Sequence, residues 1–127
     1  MRKIRPGFIL PSAAFTISPR QIKSVEKLDR TPRAGDLVFG AVTYVGEHGS
    51  LENKEGRIHM IGDGSRAAFV FGNRYAPDAF EGLVPDHLPR EVDLLARSGI
   101  VGIVQSKNAA RKDPTKVEIL GYVLDQD

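Results

Sequence analysis

The sequence predicts a mainly β domain: a small five- or six-stranded barrel with one N-terminal helix and one short connecting helix. Three observations carry this expectation. Residues 35–46, GDLVFGAVTYVG, form a long apolar strand signal kinked by Gly40 and closed by Gly46. Glycines recur inside later strand-like runs, at Gly102 and Gly121, as they do where a sheet bends onto itself. Short β-prone segments then follow one another between turn residues, and 13 glycines with eight prolines are more than a helical bundle tolerates.

The chain divides at Gly35. Residues 1–34 read as a basic leader with a short helix, and residues 35–127 as the barrel, a single folded unit. Within the leader, residues 1–17 are extended, with Phe8, Ile9, Leu10 and Phe15 available to cover an end or edge of the barrel. Ser18, Pro19 and Gln21 have the order of a helix start: a capping serine, a proline in the first position and a glutamine three residues after the cap. Ile22, Val25 and Leu28 then recur every three residues as one apolar stripe, which Thr31, Pro32 and Gly35 bring to an end. The strand over residues 37–45 is apolar on both faces, with Leu37, Phe39, Ala41 and Val45 on one and Val38, Val42 and Tyr44 on the other. A strand with one wet face alternates with polar residues, so this one requires cover on its second face. The leader helix is the nearest cover.

Residues 47–55 read as a polar loop in which Leu51 anchors a short ladder. The segments 57–61 and 66–71 flank Gly62-Asp63-Gly64-Ser65, and Asp-Gly between two β-prone runs predicts a hairpin. Residues 72–77 and 82–85 are irregular, and residues 88–96 read as a short helix starting at Pro89. The last two strands, 99–106 and 115–124, form a long hairpin around a polar loop. The chain ends three residues after Leu124, where a linker or second domain is expected to continue.

At 127 residues the length fits one domain with its own core. The 41% hydrophobic and 27% charged fractions are those of an ordinary soluble protein. The absence of cysteine excludes disulfides, thiolate metal sites and a cysteine nucleophile, and agrees with a cytoplasmic location. No apolar run approaches the roughly 20 residues that span a bilayer, so no membrane association is expected. Pro11 cuts the N-terminal apolar run short, and the start therefore reads as mature protein rather than a secretory signal. Charge is uneven: residues 1–33 carry eight basic groups against Glu26 and Asp29, a net +6, while the remainder carries −4. Such an arm predicts an anionic partner, nucleic acid or an acidic protein face, unless it folds back onto the acidic body.

Motifs exclude more chemistry than they suggest. Nothing matches the phosphate-cradling G-x-x-x-x-G-K-[ST] loop, and Gly62-Asp63-Gly64 reads as a turn. His48, His59 and His87 lack the spacing of metal ligands, so each reads as a surface or hydrogen-bonded histidine and no metal is expected. Ser50, Ser65 and Ser98 stand in no G-x-S-x-G elbow. A hydrolase or metal enzyme would draw on Glu47, His48, His59 or Asp63, and only their gathering in one pocket would support it. No catalytic residue and no cofactor is assigned.

The strongest binding signal is RAAFVFGNRY at residues 66–75. Aromatics among arginines stack bases while the guanidinium groups meet phosphates. The same residues also read as a core strand, since Phe69 and Phe71 share one face, followed by an ordinary loop. The loop at 107–112 carries three of the four basic groups that follow residue 99. Together these segments supply the candidate contact set Arg66, Arg74, Tyr75, Lys107, Arg111 and Lys112.

RAAFVFGNRY is similar in part to the RNP1 pattern of RNA-recognition motifs, with one position missing and Gly72 where an aromatic belongs. GDLVFGAV at residues 35–42 is similar to the common opening of small barrels of the OB/S1-like type. GIVGIV at residues 99–104, the basic loop and residues 117–124 resemble the barrels that precede the motor core in hexameric ATPases. These likenesses span residues 35–124 through glycine and β patterning. The OB/S1-like resemblance implies single-stranded nucleic acid bound on one sheet face, and the resemblance to ATPase-leading barrels implies a domain that organises subunits. The acidic barrel and sparse surface aromatics depart from a typical nucleic-acid binder. The sequence thus leads to a non-catalytic β-barrel module that binds nucleic acid or a protein partner. A self-assembly domain of a larger ATPase-type complex, with the chain as a homo-oligomer, and a small hydrolase or metal enzyme are the alternatives.

Overall fold

The computed structural model describes residues 2–3, 8–14, 22–26, 30–53, 55–76 and 80–125. The chain is mainly β. Its strands are β1 (Arg2–Lys3), β2 (Ile22–Glu26), β3 (Leu37–Tyr44), β4 (Ser50–Glu52), β5 (Ile58–Met60), β6 (Arg66–Phe71), β7 (Arg74–Tyr75), β8 (Phe80–Leu83), β9 (Glu91–Leu94), β10 (Ile100–Lys107) and β11 (Lys116–Asp125). The single helical element among the described residues is a 3-10 turn at Ser12–Ala14.

Strand pairing runs in a ring, from β11 through β3, β6, β10 and β9 back to β11. Every contact in it is antiparallel except β6 with β10. The ring is not a closed barrel, because β6–β10 and β9–β10 each hold only two residue pairs. Beyond β11 the sheet continues into β2 and β1, and beyond β10 into β8 and β7. β4 and β5 form a separate two-stranded sheet. On β11 the register shifts between Ile119 and Gly121. Gly121 there has φ +155°, and a Cβ would stand 3.0 Å from the Glu26 backbone, so glycine lets β2 approach this bend.

Inside the ring, Val38, Val42, Phe69, Phe71, Val101 and Val117 form the main core. Phe69 and Phe71 therefore belong to the packed face of β6, as their two-residue spacing predicts. Burying each such aromatic contributes on the order of 2–3 kcal/mol. Leu51 is fully buried on β4, the anchor expected of it.

Four sequence expectations are corrected. First, residues 22–26 are not helical. They form β2, which pairs with β11 because that strand otherwise presents an open edge whose N–H and C=O groups need partners. The expected cap, Ser18 to Gln21, lies outside the described residues, as do Phe15 and Leu28. Second, residues 91–94 form β9 rather than a connecting helix. β9 lies between β10 and β11, where Val92 and Leu94 are buried, and this tertiary burial overrides the proline-initiated helix signal. Third, that insertion means β10 and β11 do not pair as a hairpin. Fourth, the Gly62–Ser65 turn forms, with Ser65 N–H donating to Gly62 O at 3.0 Å, but its flanking strands part. β6 is needed between β3 and β10, whereas β5 pairs with β4.

The second face of β3 is covered, but by residues 8–14, which include the 3-10 turn, rather than by the leader helix expected after Ser18. Phe8 meets Phe39 edge to face at 5.5 Å, and Leu10 and Ala14 pack with Ala68 into a second small core. Ile9 bridges Ala67 on β6. Its N–H donates to Arg66 O at 2.9 Å and its carbonyl accepts from Ala68 N–H at 3.1 Å. This leader segment lies along the stretch of β6 that β10 leaves unpaired. It then reaches the turn before β10, where Pro11 bridges Asn53 and Ala13 N–H donates to Ser98 O at 2.8 Å.

Candidate binding site

Three polypeptide stretches meet in a polar cleft of about 760 Å³. One wall is the segment between β3 and β4, with Glu47, His48 and, on β4, Ser50 and Glu52. The second is Arg74 on β7. The third is the turn between β9 and β10, with Arg97 and Ser98, and Arg111 closes the rim. A smaller groove of about 360 Å³ adjoins it, lined by Asn73, Arg74, Tyr75, Gly82, Leu83 and Gln105 among others. Arg74 lines both hollows.

The first wall is held in place by β11. Thr115 is fully buried just ahead of that strand. Its hydroxyl donates to His48 O at 2.6 Å and accepts from Gly46 N–H at 2.9 Å. Gly46 packs directly on the Asp113–Pro114 backbone, where any side chain would collide. Glu47 is clasped by the basic loop. Lys112 N–H donates to its Oε1 at 2.8 Å, and the Arg111 guanidinium lies 3.7 Å from its Oε2. The backbone hydrogen bond from Lys112, aided by Arg111 and other nearby positive groups, holds this carboxyl below the usual carboxylate range.

His48 stacks edge to face on Phe80 at 5.6 Å. Its Nδ1 is buried without a hydrogen-bond partner. Burial first, and then the positive charge of Arg74, pushes its pKa below the ordinary 6.5; Glu47 and a hydrogen bond to Leu94 oppose this only in part. The imidazole is accordingly neutral at pH 7. Arg74 is fixed by donating from Nη1 to Leu95 O at 2.7 Å. The Arg97–Ser98 turn is held by backbone hydrogen bonds. Glu52 N–H donates to Arg97 O at 2.8 Å, Ala13 N–H to Ser98 O, and Gly99 N–H to Ala96 O at 3.0 Å.

In the groove, Asn73 Oδ1 accepts from Val84 N–H at 2.8 Å and ties the loop after β6 to the end of β8. Tyr75 is 79% exposed and Leu83 is also exposed, so the groove offers an aromatic ring and an aliphatic side chain to solvent.

Of the six candidate contact residues, Arg74 and Arg111 line the cleft and Tyr75 lines the groove beside it. Lys107 and Lys112 stand in or beside the rim loop, with Lys107 Nζ donating to Arg111 O at 3.0 Å. Arg66 lines neither hollow. Its guanidinium stands 5.8 Å over Phe39, on the face covered by the leader. The hydrolase set is split: Glu47 and His48 share the cleft, whereas His59 sits 3.0 Å from Asn53 Nδ2 on the β4–β5 sheet and Asp63 is exposed in its turn. Among the described residues, no three His, Asp or Glu side chains converge as a metal site requires.

Sequence reasoning missed Arg97, which a helix ending at Ala96 leaves without a role. The Ser98–Gly99 pair is a turn signal, and reading it as a turn would have placed Arg97 at a bend. No residue in the sequence shows that this bend faces Arg74. No helix of the described residues is long and apolar enough to cross a membrane. No family model matches the chain, and searches of curated proteins and of solved structures found no match.

Proposed function

We propose that this domain is a non-catalytic binding module for nucleic acid in its single-stranded form. The observation that carries the reading is the position of Arg74, on the border between a cleft with two further arginines and a groove that presents Tyr75. Guanidinium groups beside an exposed ring suit a ligand with phosphates next to planar bases. The five-strand ring supports it too, because small partly open barrels of the OB-like type bind oligonucleotides on one face. Dispersal of His59 and Asp63 away from the cleft, and the clasp on Glu47, support a role without catalysis.

Fluorescence anisotropy with labelled single- and double-stranded oligonucleotides tests this. Affinity for the single strand falls steeply between about 50 and 200 mM salt, and Arg74→Ala weakens it. Absent or salt-insensitive binding to both forms rejects the reading.

A second reading, an assembly domain, is favoured by β5. Ile58 is 49% and Met60 78% exposed, on a strand that among the described residues pairs with β4 alone. Open apolar edges pair with other chains, which also fits the likeness to ATPase-leading barrels. Light scattering over a concentration range decides: a strict monomer rejects self-assembly.

A further inference from the structure

We infer that the cleft is built for a phosphate monoester held by Arg97, Ser98 and Arg74, with the Glu47 carboxylate as its internal competitor. This rests on the nucleic-acid reading above and narrows it from phosphates in general to a terminal phosphate.

Charge balance is the first support. Three guanidinium groups line the cleft, and Glu47 pairs with Arg111. Glu52 also lines it, yet among the described residues neither Arg74 nor Arg97 forms an ion pair with a carboxylate. Two guanidinium groups therefore have no carboxylate at ion-pair distance, while Glu47 and Glu52 leave the lining as a whole at a formal +1. A phosphodiester brings one negative charge, whereas a monoester brings about −1.5 to −2 near neutral pH and three acceptor oxygens. The monoester's third oxygen and second charge give both guanidinium groups a partner at once, which a single diester charge does not.

Preorganisation is the second. The backbone carbonyls of Arg97 and Ser98 are engaged by the N–H groups of Glu52, on the facing wall, and of Ala13 in the leader, and Pro11 lies against Gly99. The turn is therefore set before any ligand arrives, and its Ser98 hydroxyl makes no hydrogen bond among the described residues. Arginine forks together with a hydroxyl are a common way to hold a phosphate.

The third is the polarity of the neutral wall. His48 feels Arg74 and Arg97 as opposing charges and Glu47 as a favourable one, with Glu52 and Arg111 also in the cleft. A dianion on the two arginines relieves that opposition and draws a proton to the ring. Glu47 faces the same space and is repelled by the same dianion, while it holds Arg111 away from it.

A terminal phosphate has two sources, a strand end or a free nucleotide. The experiment compares one oligonucleotide carrying a phosphate at its 5′ end, at its 3′ end, or at neither, alongside a nucleoside monophosphate. A terminal phosphate on at least one end tightens binding about tenfold or more, the worth of one charge-assisted hydrogen bond. Arg97→Ala and Ser98→Ala remove that gain, and Glu47→Gln enlarges it roughly twofold to fivefold. The His48 ring signals shift on addition of the phosphorylated ligand, while those of His59 do not. Nucleoside monophosphate that binds without any oligonucleotide binding keeps the inference and rejects the nucleic-acid reading. Equal affinity for all three oligonucleotides, with Arg97→Ala binding as the parent does, rejects the inference and leaves that reading intact. Should Arg97→Ala unfold, Arg97→Lys decides instead, since a point charge without the planar fork loses most of the gain.

Discussion

The two hollows that share Arg74 are opposites in construction. The polar cleft is walled by segments fixed through hydrogen bonds to the main chain, from the Thr115 hydroxyl and from the N–H groups of Glu52 and Ala13. The apolar groove is an edge feature: two residues of β7, the end of β8 and a solvent-facing ring. The difference separates precision from adaptability. A charged ligand group needs fixed partners, because a misplaced guanidinium in a desolvated wall loses its worth. A planar ring needs only a surface, and an exposed tyrosine supplies one at little cost in order.

The contrast is broken most severely by Thr115→Val. The change keeps the shape and removes the hydroxyl that joins Gly46 to His48. Two part-buried backbone groups are left without this partner, so the fold loses about 2 kcal/mol in chemical denaturation. The cleft wall should suffer while the groove keeps its geometry; an unchanged midpoint would show that the wall does not depend on this link. A smaller effect is expected of Tyr75→Ala. At 79% exposure the ring adds little to stability, within about 0.5 kcal/mol. Oligonucleotide affinity should nonetheless drop by about 1–2 kcal/mol, the worth of one stacked base. Wild-type affinity in this variant would remove the groove from the site.

The smallest effect concerns pH. The lowered pKa of His48 means that the unfolded chain, titrating near 6.5, takes up a proton that the folded chain refuses. Stability therefore declines as pH falls from about 6.5 toward the lowered folded value, and this contribution levels off below it. His48→Gln should flatten that part of the pH–stability curve. An NMR titration midpoint for His48 at or above 6.5 would contradict the described wall.

How much of this was legible in the sequence depended on whether the deciding neighbour was local. β3 was readable because its own residues state that both faces are apolar, and over Leu37–Val42 both are covered, while Thr43 and Tyr44 at its end are exposed. Phe69 and Phe71 were readable as core by spacing, and Leu51 by its isolation in a polar loop. β2 was not, because a three-residue apolar spacing over so short a segment does not distinguish helix from strand. The open edge of β11, near the opposite end of the chain, decides it. β9 was lost for the same reason: Val92 and Leu94 become a strand only between β10 and β11. Arg74, Tyr75 and Arg111 were visible as residue types. Arg97 was not, since its importance comes from the cleft it shares with Arg74, a residue more than twenty positions away that only the fold brings near.

The leader segment against the Arg97–Ser98 turn has a consequence for regulation. Residues 8–14 complete the edge of β6 and brace the turn that presents Arg97 and Ser98. Under the proposed function, leader seating and ligand binding share the Arg97–Ser98 turn, and any coupling between them is reciprocal by linkage. The factor by which a bound ligand would hold the leader down is then the factor by which capturing the leader elsewhere would weaken binding in the cleft.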